Sequence, residues 1–155
     1  MSSTAGDSGP IEAWELSLRT VTKLMQIYSR KMEAEVNIPL TWFDVLVQLV
    51  EATDGRSRMQ NLAQMVILSP SGLTRLIDRI ESAGLVRREP STEDRREMYV
   101  VLTDAGRSLA HTAREAHHRH IEEYFSRHLT AEDIQALHAV MAKVKQGLAT
   151  PAGGS

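Results

Sequence analysis

Eight arginines and no lysine fall between residues 56 and 96: Arg56, Arg58, Arg75, Arg79, Arg87, Arg88, Arg95 and Arg96. A guanidinium is a planar fork of donors that matches a phosphate or the O6/N7 edge of guanine. Among them stands the run Ser69-Pro-Ser-Gly-Leu-Thr-Arg75. Its hydroxyls, Ser69, Ser71 and Thr74, can donate to phosphate, and Gly72 lets a backbone come close. The same window holds five acids, Asp78, Glu81, Glu89, Glu93 and Asp94, which leaves it at +3. The 155-residue chain totals −2, so everything outside the window carries −5. The total alone argues against a polyanionic partner, whereas a basic middle between acidic ends argues for one. The competing possibility is structural: the arginines pair with Asp78, Glu81 and Asp94, or lay their stems over apolar surface.

The elements around these residues are legible from apolar spacing. Ile11, Trp14, Leu18, Val21, Met25, Tyr28 and Met32 step by three and four, the seam of a helix of about 25 residues that ends by Pro39. Thr41 with Asp44 predicts the start of a second helix, through Ala52, whose Phe43, Val45, Leu46, Val47, Leu49 and Val50 leave little polar face. Asp54-Gly55 marks a turn. A short helix from Met59 to Val66 precedes one capped by Ser69 and opened by Pro70, with Leu73, Leu76, Ile77 and Ile80 on one stripe. Ser71, Thr74, Arg75, Asp78 and Arg79 occupy its other face, and Gly84 suits its C-terminal stop. Leu85–Pro90 and Met98–Leu102 are β-prone around a polar loop and predict a hairpin. Thr103-Asp104 caps a second long helix, expected to reach His128, and Thr130-Ala-Glu-Asp133 starts the last. Residues 1–10 and 150–155 have the composition of disordered tails.

Two short helices, the second capped and arginine-bearing, followed by an arginine-tipped hairpin, form a DNA-reading arrangement. The second helix of such a pair enters the major groove by its N-terminal end. Arg95 and Arg96 at the hairpin tip reach far enough for a minor groove, with Asp94 holding one of them in place. Arg87 completes the expected set of DNA contacts.

At Met59-Gln-Asn-Leu-Ala-Gln64, Ser69 to Arg79, Glu81-Ser-Ala-Gly-Leu-Val86, Asp94-Arg-Arg96 and Val101-Leu-Thr-Asp-Ala-Gly106 the sequence resembles the MarR family of bacterial winged helix-turn-helix regulators. The likeness runs from about Glu12 to Leu148. It implies a mainly α fold, about six helices plus a short β-hairpin wing. Residues 41–102 would be the DNA-binding domain, with 11–40 and 103–149 supplying dimerisation helices. It also implies a homodimer on double-stranded DNA at a palindromic operator, repression as the mode of regulation, and release by a small effector such as an aromatic acid.

The apolar seams of the terminal helices support the dimer independently, since two helices of about 25 residues span nearly 40 Å and a domain this small cannot cover them. For the effector, Trp14 and Tyr28 offer stacking surfaces, and Arg107 and His117 offer partners for a carboxylate; packing in a dimer core accounts for the same residues. His117, His118, His120, Glu122 and Glu123 raise a metal-responsive alternative, and a winged helix that binds protein instead of DNA is another. No nucleophile elbow, phosphate-binding glycine loop or His-Glu-x-x-His occurs, so no enzyme is expected and no cofactor. With no cysteine there is neither disulfide nor thiol sensing. No apolar run approaches a membrane span, and the polar N-terminus lacks the order of a secretion signal, so the expected location is the cytoplasm.

Overall fold

The spacing that begins at Ile11 forms a single helix of 27 residues, α1 (Pro10–Val36), in a computed structural model that describes residues 9–65, 70–92, 94 and 97–149, with only the backbone of Met65 and Pro70. Proline fits its first turn, where no N–H is required, so Pro10 belongs to the helix and not to the tail. The remaining tail residues, 1–8 and 150–155, lie outside the described residues. Asn37, at φ 58°, ends α1 in the left-handed conformation.

The second helix, α2 (Leu40–Glu51), begins one residue before Thr41, and no side chain caps it. Thr41 is therefore not its start signal. The fixed φ of Pro39 provides the extended entry instead. Its Phe43, Val45, Leu46 and Leu49 are buried, as a helix with so little polar face requires. Asp54 and Gly55 both take positive φ in a short 3-10 turn (Thr53–Gly55) that feeds β1 (Arg56–Arg58). No apolar alternation marks Arg56-Ser-Arg58 as a strand; pairing makes it one. Then follow α3 (Met59–Met65), α4 (Pro70–Ser82), and the expected hairpin, β2 (Val86–Pro90) and β3 (Met98–Leu102). The sheet is antiparallel in the order β1-β3-β2, so the hairpin gains a third strand.

Gly84, at φ 74°, stops α4 as anticipated. The Leu85 N–H bonds back to the Ile80 carbonyl and the Gly84 N–H to the Glu81 carbonyl, which satisfies acceptors the helix end would otherwise leave bare. Thr103 caps α5 (Asp104–Tyr124): its hydroxyl oxygen accepts the Gly106 N–H at 3.0 Å and stands within donating reach of the Gly84 and Leu85 carbonyls. Gly106, Ala110, Ala113 and Ala116 are buried along α5, a stripe of small residues that permits close packing. The helix stops at Tyr124, short of His128, where a 3-10 turn (Ser126–His128) takes over. The last helix, α6 (Ala131–Ala149), starts as expected, with a reciprocal cap between Thr130 and Asp133.

The architecture is mainly α, six α-helices and one three-stranded sheet among the described residues, a winged helix. The chain divides into two compact units, the first ending at His118 and the second beginning at Arg119. The first closes a core of residues from α1 to α4 and the sheet, including Met32, Leu46, Leu49, Leu62, Ile77 and Val100. Among the described residues no helix is long and apolar enough to cross a membrane.

Two predictions follow from these caps and contacts. A β-carbon at Gly106 would lie 2.0 Å from the Leu85 carbonyl oxygen, so Gly106→Ala must push α5 off the end of α4. It should cost about 1–3 kcal/mol, read as a lower urea midpoint at unchanged slope. Gly147→Ala in α6 meets nothing and should not destabilise. The Thr130 amide and hydroxyl hold the Asp133 carboxyl below its ordinary value. Its cap is therefore complete above the usual carboxylate range and is lost as pH falls through that lowered value. The Thr130 amide resonance should follow this titration in acid, and an amide that ignores it would refute the cap.

Candidate nucleic-acid interface

Spacing builds α4. Leu73, Leu76, Ile77 and Ile80 lie at i, i+3, i+4 and i+7, and all four are buried, each contributing about 1.5–3 kcal/mol by leaving water. Burying that stripe obliges the rest of α4 to face out. Ser71, Thr74, Arg75 and Arg79 are exposed together, beside Asp78, and Gly72 is half-buried, so the fold gathers these members of the expected set on one surface. Ser69, the expected cap, lies outside the described residues, as do Arg95 and Arg96 of the wing tip. At the wing turn Ser91 N–H bonds the Glu97 carbonyl, Glu97 N–H bonds the Asp94 carbonyl, and Asp94 N–H bonds Ser91 Oγ. Asp94 thus helps close the turn through its backbone.

Pairing sorts the arginines. Arg58 bonds Glu97 at 3.1 Å and donates to the Tyr99 hydroxyl at 3.2 Å, while Arg56 lies over the Tyr99 ring, 5.0 Å from its centre. Arg87 bonds Glu89 at 2.7 Å. Arg88 bonds both Asp78, at 2.7 Å, and Glu81. Among the described residues Arg75 and Arg79 take no ion pair. The pairing expected with Asp78 and Glu81 is thus found at Arg88, Arg58 and Arg87 pair with other acids, and Arg75 and Arg79 stand on the exposed face of α4.

Register separates the neighbours Arg87 and Arg88. Arg56, Val101 and Arg87 share one cross-strand row; Ser57, Val100 and Arg88 share the next. Successive rows point to opposite faces. Arg87 is exposed on one face, and Arg88 reaches back over α4 from the other. Neither the partition nor the third strand shows in the linear sequence, since adjacent arginines look equivalent until pairing fixes the faces.

The four effector candidates are not assembled into one site in this chain. Tyr28 is buried, and its ring meets His117 edge-on at 5.3 Å, while His117 also lies 4.9 Å from Phe43. Burial pushes the Tyr28 hydroxyl up from its ordinary value. Trp14 is 65% exposed, on the same helix but about 21 Å from Tyr28 by helical rise. Arg107 instead packs beside Gly55, its Nη2 2.6 Å from where a β-carbon would stand. Among the described residues no three His, Asp or Glu side chains are grouped as a metal would require.

Known proteins share this arrangement. Residues 38–98 match the MarR family. The uncharacterized HTH-type transcriptional regulator YwhA of Bacillus subtilis (strain 168) is 32% identical over 92 residues, 59% of this chain and 66% of that protein. Sco3205, a MarR family transcriptional regulator from Streptomyces coelicolor solved in complex with DNA, superposes with a TM-score of 0.82 at 27% identity, covering 90% of this chain and 87% of that one. AbsC, a MarR family transcriptional regulator from the same organism, also gives 0.82 at 27% identity, covering 95% of this chain and 98% of its own. With its helix pair, wing and Leu102-Thr-Asp-Ala-Gly106 junction in the same fold, the chain belongs to the MarR family of winged helix-turn-helix transcriptional regulators.

Proposed function

We propose that this regulator binds double-stranded DNA as a homodimer, with α4 in the major groove and the wing beside it, and represses transcription from a palindromic operator. The observation that carries the reading is the exposed face of α4, where Arg75 and Arg79 stand among Ser71, Thr74 and Gly72. Hydroxyls and backbone position such a helix on phosphate, and a forked guanidinium reads a guanine edge. The DNA complex of Sco3205, at 27% identity over 90% of this chain, supports it.

The dimer has its own support. The exposed large apolar side chains among the described residues lie on two helices: Ile11, Trp14, Leu16, Leu18, Val21 and Met25 on α1, and Ile134, Leu137, Val140, Met141, Val144 and Leu148 on α6. Single exposed leucines are ordinary; two continuous stripes are what a second copy would cover. The terminal helices, within 11–40 and 103–149, thus serve dimerisation, and residues 41–102 serve DNA. A twofold axis would then set two α4 helices about 34 Å apart, one turn of DNA, which is why the operator should be palindromic.

Release by a small effector completes the proposal. An apolar cleft of about 490 Å³ opens between α1 and α2, lined by Val21, Met25, Pro39 and Leu40 among others, in the size range of small-molecule sites. The Tyr28–His117 contact is a second place where a planar acid would perturb the packing.

Two experiments test these statements. The chain should retard a duplex from its own upstream region, with affinity falling steeply in salt. Arg75→Ala should cost about 1–3 kcal/mol and relax the preference at one base position. An unchanged sequence preference would remove Arg75 from the reading face. For the dimer, Leu137→Glu with Val144→Glu should give a monomer by sedimentation, with helical circular dichroism retained; a wild-type chain that is already monomeric at micromolar concentration overturns it.

A further inference from the structure

Arg88 is bonded to α4 at several points, and nothing in the DNA-reading arrangement uses it. It sits on β2, an outer strand whose free edge leaves backbone N–H groups without a sheet partner. Glu81, near the end of α4, closes that edge: its Oε1 accepts the Arg88 backbone N–H at 2.8 Å, and its Oε2 accepts from Arg88 Nη1. Arg88 Nη2 then bonds Asp78 Oδ1 at 2.7 Å and reaches the Thr74 carbonyl at 3.4 Å. One guanidinium therefore touches α4 at Thr74, Asp78 and Glu81, two successive turns of its length. Thr74 and Asp78 also belong to the outward face, on either side of Arg75.

Two consequences follow from this geometry. The fork holds β2 against α4 at three points, so α4 cannot roll about its axis relative to the wing without breaking charge-assisted bonds. It also neutralises acids on a helix that would approach phosphate. Without Arg88, Asp78 and Glu81 would repel the DNA beside Arg75 and Arg79. The Arg88 and Glu81 side chains are 21% and 34% exposed, so the bonds between them are less screened than those of the surface pairs.

We infer that Arg88 is a positioning residue for sequence selection, fixing the angle between α4 and the wing so that both meet one DNA surface together. The inference rests on the DNA-binding reading above. Lysine is the informative substitution, because it keeps the charge and loses the fork.

The test compares affinities for two duplexes of equal length at one salt concentration. One is selected by the wild-type chain from a random pool; the other is unrelated in sequence. The readout is the ratio of the two affinities, which a loss of folded protein leaves unchanged. Arg88→Met should lower this ratio by about tenfold or more, the size of a lost charge-assisted bond. Arg88→Lys should recover affinity for the unrelated duplex but not the ratio. Glu81→Gln, which keeps an acceptor and loses the charge, should reduce the ratio less than Arg88→Met. Should Arg88→Met fail to fold, the lysine and Glu81→Gln variants carry the same comparison. A wild-type ratio in Arg88→Lys, or equal losses on both duplexes in every variant, overturns the inference alone. A wild-type chain that selects no duplex overturns the DNA-binding reading, and the inference with it.

Discussion

Between the Leu85 carbonyl and Gly106 there is no room for a β-carbon, since one built at Gly106 would lie 2.0 Å from the oxygen. Four elements meet there. The Leu85 N–H closes the end of α4 on Ile80, and its own residue leads into β2. Its carbonyl accepts the Thr103 N–H at 3.1 Å, where β3 gives way to α5. Each of these groups would be an unsatisfied backbone donor or acceptor if the elements parted, at about 1–3 kcal/mol for a buried one. Helix α4, both ends of the wing and the long helix α5 are thus fixed to one another by a few backbone groups that only a glycine lets approach. The Thr103 hydroxyl completes the junction, accepting the Gly106 N–H beside the Gly84 and Leu85 carbonyls.

From that fixed point the wing extends, and its distant parts need their own attachment. The Arg88 fork provides one, at the strand where Glu81 and Asp78 come within reach. The +3 of the middle segment is therefore not a uniform patch. Much of the positive charge is spent inside the domain, in Arg58–Glu97, Arg87–Glu89 and the Arg88 cluster, and Arg75 and Arg79 project from α4. Exposed pairs contribute little to stability, about 0–1 kcal/mol each. Their larger effect here is on the field, because paired acids no longer oppose a phosphate approaching α4.

What was legible in the sequence and what was not divides along physical lines. The α4 helix was legible because stripe and punctuation agree: Leu73, Leu76, Ile77 and Ile80 at helical spacing, with Pro70 before them and Gly84 after. The cap at Thr130 was legible for the same reason, a local pattern that makes local bonds. At Thr41 an identical pattern failed, because Pro39 had already set the chain's direction one residue earlier. β1 could not be found, as three polar residues become a strand only by pairing with Met98–Leu102. The roles of Arg87 and Arg88 depend on strand parity, and parity is set by register, which is a non-local property. Trp14 and Tyr28 shared a seam yet separated in burial, since periodicity gives the face of a helix and not the point where it leaves the body.

That last separation bears on how the molecule acts. The first unit buries its own apolar stripes on α2 and α4 and in the sheet, so the outward face of α4 is shaped within one chain. α6 is exposed along its whole length, and α1 buries only Tyr28 and Met32. On the dimeric reading, base recognition and operator spacing then have different physical origins. Contacts at one half-site depend on the packing beneath α4. The distance between half-sites depends on apolar stripes that only a second copy covers, and so on protomer concentration. A ligand that altered the packing of α1 would change the spacing of two intact reading heads, without disturbing a single residue that touches DNA.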